Sequence, residues 1–119
     1  MNNTMKELKE NPNIDMLMRD SMNVNMVDFK IFCNDIANYW SDKMSMLTCE
    51  ECGELIKAIS KYERENGSAQ VIEDLINEMG DVIISIFSLA ARYRIDYRLI
   101  LSRCNLKSHF CYEEHKKEG

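Results

Sequence analysis

Residues 69–93 read AQVIEDLINEMGDVIISIFSLAARY, an unbroken stretch without proline that decides the fold. Val71, Val82 and Leu89 stand at −7, +4 and +11 from Glu78. On a helix turning about 100° per residue these four side chains share nearly one column, so Glu78 is expected in the apolar stripe. An ionised carboxylate there costs several kcal/mol unless something compensates, and nearby like charges raise its pKa further. A divalent cation would remove both penalties.

Ser68 is the expected N-cap of this helix, and Asn66-Gly67 just before it ends the preceding one, because both residues tolerate left-handed geometry. That preceding helix spans about Ser45 to Glu65. Further upstream, Met26, Phe29, Phe32, Cys33 and Ile36 recur at three and four, predicting a helix from about Asn25 to Asp42. Downstream, Asp96 caps a fourth helix through Leu99, Cys104 and Phe110. One proline, four glycines and no alternating Val/Thr/Tyr runs support an all-α domain of four helices. A chain of 119 residues buries one small core, so long amphipathic helices are expected to gain from assembly into a homodimer or homotetramer. Residues 1–24, with Met1, Met5, Met16, Met18 and Met22, form a separate Met-rich arm ahead of the domain at 25–119.

The second helix carries Glu50-Glu51-Cys52-Gly53-Glu54, three carboxylates within an arc of about 100°. The third carries Glu78-Met79-Gly80-Asp81, an i, i+3 pair. Two acid groups on two helices suit a cation cage. Oxygen ligands without histidine favour Mg²⁺, with Mn²⁺ as a substitute, and Mg²⁺ keeps water and substrate phosphate in its shell. The competing reading makes Glu51 half of a capping box with Thr48 and the other acids a solvated face. Gly53 and Gly80 each precede the last acid of their block. Glycine inside a helix costs about 1 kcal/mol relative to alanine, which close helix approach or room for a phosphate would offset.

Charge and cysteine usage narrow the classes. The net charge of −5 argues against a nucleic-acid surface. Residues 50–81 hold nine acids and three bases, leaving the remainder near neutral. Five cysteines, and no apolar segment behind Lys6 and Lys9, point to reduced thiols in the cytoplasm. The run Val82–Ala91 is too short and too polar to span a membrane. Cys49, Cys52, Cys104 and Cys111 suffice in number for zinc but lack its spacing. Neither His109 nor His115 follows a glutamate by three residues, as a di-iron bundle requires.

EECGEL and EMGDVIISIFSLA, with 23 residues between Glu54 and Glu78, resemble the EExxE…ExxD signature of the MazG-like all-α nucleoside triphosphate pyrophosphohydrolases over roughly residues 27–107. The resemblance implies Glu51, Glu54, Glu78 and Asp81 as Mg²⁺ ligands and Glu50 as the base acting on the attacking water. It implies attack at the α-phosphorus, yielding a nucleoside monophosphate and pyrophosphate, in a site near a subunit interface. Trp40 resembles aromatics that stack on a nucleobase in relatives, and Asn105 and Lys107 resemble polar positions of the family's last helix. Together with Lys57 and Arg103 these are the candidate substrate contacts. The rival from another class is a non-catalytic helical binding protein acting through its Met-rich arm.

Overall fold

The computed structural model describes residues 26–118, so the Met-rich arm lies outside the described residues. Four α-helices and no strand are present among them: α1 (Met26–Trp40), α2 (Met44–Arg64), α3 (Ala69–Arg92) and α4 (Tyr97–Glu118). The expected all-α, four-helix architecture holds. No helix among them is long and apolar enough to cross a membrane.

The expected continuous first helix ends two residues early. A single 3₁₀ turn, Ser41–Lys43, separates α1 from α2, and Ser41 takes a positive φ of 52°. With no glycine to supply that geometry, the sequence carries no conventional stop there. The end of α2 does follow its signal. Asn66 and Gly67 have φ of 53° and 69°, and the Gly67 amide donates to the Tyr62 carbonyl at 3.2 Å, the six-residue closure of a Schellman motif. Ser68 occupies the N-cap position of α3, but its hydroxyl caps no amide.

The end of α3 closes the same way with a less suitable residue. Ile95 N–H donates to Ala90 O at 2.8 Å and Arg94 N–H to Ala91 O at 3.1 Å, which requires Arg94 at φ 58°. An L-residue pays roughly 1 kcal/mol for this conformation. Arg94→Gly is therefore expected to raise stability by about 1 kcal/mol, seen as a higher urea midpoint with an unchanged slope. A lower midpoint would mean that the Arg94 side chain contributes more than its backbone costs.

Asp96 caps α4 as expected, its Oδ1 accepting the Arg98 amide at 2.9 Å. The Arg98 guanidinium grips the same carboxylate at 2.6 Å, and these hydrogen bonds hold the Asp96 pKa down to about 2.

Small side chains set the helix spacing. α2 and α3 pack antiparallel, with α1 across α3, and the buried set is Cys33, Ala37, Met44, Thr48, Ala58, Val71, Ser85, Ser88 and Ala90. Its polar members are satisfied locally. Thr48 Oγ1 donates to Met44 O at 2.8 Å and lies 3.4 Å from Ser85 O, while Ser88 Oγ donates to Ile84 O at 2.7 Å. Phe29 meets Phe87 edge to face at 5.3 Å, joining the start of α1 to the end of α3. None of the 22 residues of α4 is buried.

Candidate active site

Helical phase brings the two acid blocks together. Glu51 lies one turn beyond Thr48, whose hydroxyl fixes that part of α2 beside Ser85 of α3. Glu78 and Asp81 lie two turns and one turn, respectively, before Ser85 on the facing helix. One carboxylate oxygen from each of Glu51, Glu78 and Asp81 falls within 4.8 Å of the others. Glu51 and Glu78 are half-buried, and Asp81 opens to solvent.

Electrostatics shows what this arrangement lacks. Burial, and then the charge of Asp81, push the pKa of both Glu51 and Glu78 upward, with Glu54 adding to each. Glu78 Oε2 is fully buried with no hydrogen-bond partner. Asp74, one turn before Glu78, also raises its pKa, a contribution readable from i, i+4 spacing that the site prediction omitted. Three converging oxygen donors, one of them buried and unpartnered, fit a hard divalent ion such as Mg²⁺.

The capping-box reading of Glu51 does not survive the geometry. α2 starts at Met44, so Thr48 is in its second turn and bonds back to the Met44 carbonyl rather than forward to an amide.

Of the four expected ligands, three converge and Glu54 does not. It remains exposed and pairs with Lys57 Nζ at 3.3 Å, which also occupies one of the expected substrate contacts. Glu50 is exposed next to the cluster, close enough for its charge to raise the Glu51 pKa. Glu51 and Asp81 line a cleft of about 160 Å³ whose other walls are mostly apolar, Ile36, Met44, Leu47 and Ile84 with Ser85. No base lines it. Arg103 and Lys107 line separate grooves along α4, and Asn105 is exposed on the same helix. Trp40 packs edge to face against Tyr39 at 5.3 Å and is 39% exposed. A separate cavity of about 260 Å³ between Phe29, Phe87, Arg94 and Tyr97 holds none of the clustered acids.

Among the described residues packing requires neither Gly53 nor Gly80, because an added Cβ at either would meet none of their atoms within 4 Å. Close approach among the four described helices of one copy is thereby excluded as the reason for these glycines.

Residues 41–109 match the family model of the MazG nucleotide pyrophosphohydrolase domain, a span containing both acid blocks. No curated protein and no solved structure gives a significant match.

Proposed function

Since the chain belongs to the MazG nucleotide pyrophosphohydrolase family, the match covering more than half its length, we propose that it is a Mg²⁺-dependent cytoplasmic enzyme that hydrolyses nucleoside triphosphates to monophosphate and pyrophosphate. The observation that carries this reading is the convergence of Glu51, Glu78 and Asp81 around a buried, unpartnered Glu78 oxygen.

Glu51, Glu78 and Asp81 would hold the ion, and Glu54, one turn along α2, would complete the set by exchanging Lys57 for it. Mn²⁺ suits the same oxygen donors. When bound, such an ion would neutralise triphosphate charge and polarise the anhydride under attack. Glu50, exposed beside the cluster, takes the proton of the water that attacks the α-phosphorus, and no covalent intermediate is needed. Lys57, once released by Glu54, meets phosphate. Trp40 stacks on the base, while Arg103, Asn105 and Lys107 approach the phosphates from α4. α4 lines no part of the cleft in its own chain, so a second copy is the natural donor of these three.

A panel of canonical and modified nucleoside triphosphates, incubated with the purified chain and Mg²⁺, tests this. Equal yields of monophosphate and pyrophosphate, abolished by EDTA, are expected with at least one substrate. Orthophosphate as the first product would place the attack at the γ-phosphorus and overturn the assignment, and no turnover on any member would return the chain to the binding class.

A further inference from the structure

The cavity of about 260 Å³ at the junction of α1, the end of α3 and the start of α4 has walls of two kinds. Phe29, Phe87 and Tyr97 are half-buried and supply aromatic surface, while Lys30 and Arg94 are exposed and bring positive charge to its mouth. It is remote from the acid cluster. Ala91, another of its lining residues, stands ten residues beyond Asp81, about 15 Å along α3. We propose that this cavity binds a small aromatic acid, its single ring lying among the three aromatic side chains and its carboxylate between the two cations.

Size sets the first limit. Packed proteins leave few voids larger than a water molecule, and an apolar cavity of about 150 Å³ takes up benzene. The volume here admits one ring with a short acidic tail. Aromatic walls favour a ring over an aliphatic body of equal size, because ring pairs gain edge-to-face and offset contacts beyond the area they bury.

Charge selects the acid. Neither Lys30 nor Arg94 forms an ion pair with another described residue, and the Lys30 ammonium lies over the Tyr97 ring, 5.8 Å from its centre. Asp96, also on the cavity wall, is already held by the Arg98 guanidinium at 2.6 Å. Two cations are thus left beside an apolar space, and a guanidinium meets a carboxylate with paired, charge-assisted hydrogen bonds.

The backbone at Arg94 adds an independent observation. Its φ of 58° belongs to a position where glycine is the usual residue, and the bonds that close α3 run through the Arg94 and Ile95 amides without using the Arg94 side chain. Residues held in such conformations concentrate at ligand clamps. Here the costly residue is the one that brings a guanidinium to the cavity. The assignment stands whether or not the chain hydrolyses a nucleotide.

Calorimetric titration of the full-length protein with phenylacetate in EDTA tests the site. Saturable binding of one molecule per chain is expected, with a Kd on the order of 1 mM or tighter for so small a ligand. Phenylacetamide keeps the ring without the charge and acetate the charge without the ring, so each should bind at least about tenfold more weakly. Arg94→Gly, which relieves the backbone, is expected to weaken phenylacetate binding at least about tenfold while melting no lower than the unsubstituted chain. Lys30→Gln, at an exposed position, should weaken it in the same direction, and Ala91→Leu should abolish it by filling the space. Three results would each overturn the proposal: no saturable binding of phenylacetate, equal binding of phenylacetamide, or an affinity unchanged by Arg94→Gly or by Ala91→Leu.

Discussion

Glu78→Gln is expected to slow pyrophosphate release at least about 100-fold, the usual loss when a preorganised charge is removed from a reacting centre, while the metal-free protein melts higher than the unsubstituted chain. The two effects have one origin. Glu78 Oε2 is buried without a hydrogen-bond partner beside Asp81 and Glu51, so in the absence of a cation its charge is held at a cost in folding free energy. Glutamine keeps the shape, drops the charge and offers an N–H to whichever neighbouring carboxylate is ionised. Turnover needs the charge that the fold would prefer to lose.

Circular dichroism, thermal melting in EDTA and a pyrophosphate assay measure the pair of effects on one preparation. Turnover within tenfold of the unsubstituted chain would remove Glu78 from the proposed ligand set. An unchanged or lower metal-free melting temperature would mean that Glu78 is already compensated inside the fold. A merely structural glutamate would lose activity and stability together, so the opposite signs are the discriminating feature.

Glu78 also shows how much of this molecule was legible in the sequence. Its column with Val71, Val82 and Leu89 placed it on the apolar side of α3, and there it is half-buried with one oxygen fully enclosed. Helical phase likewise gathered Glu50, Glu51 and Glu54 into one cluster and Glu78 with Asp81 into another, but phase fixes only where a side chain starts. Whether Glu54 turns to the cluster or to Lys57 depends on rotamers and on ions, and the structure pairs it with Lys57. The break at Ser41 was hidden because no glycine marks its positive φ. The exposure of α4 was equally unreadable. Apolar residues such as Leu99 and Phe110 have the same periodicity whether their own chain or another copy covers them.

Adding Mg²⁺ to the metal-free chain at pH 7 is expected to raise its melting temperature by about 10 °C at a hundredfold excess over Kd, the equivalent of about 2.7 kcal/mol. Without the ion, stability should fall as pH rises above the ordinary glutamate value of 4.5. Glu51 and Glu78 have folded pKa values above that value, so between the two the native state binds more protons than the unfolded chain. Their contribution is complete below 4.5 and disappears as pH passes through the raised values. Asp96 acts in a different window, because its pKa of about 2 keeps its contribution whole above 3.8 and loses it only as pH falls towards 2. Bound Mg²⁺ favours the ionised carboxylates and should reverse the slope, stabilising more at pH 7 than at pH 5. Melting curves in EDTA and in Mg²⁺ across this range supply the measurement. Coincident curves at pH 7, or a metal-free stability that climbs from pH 5 to pH 7, would show that the acid cluster is not a cation site.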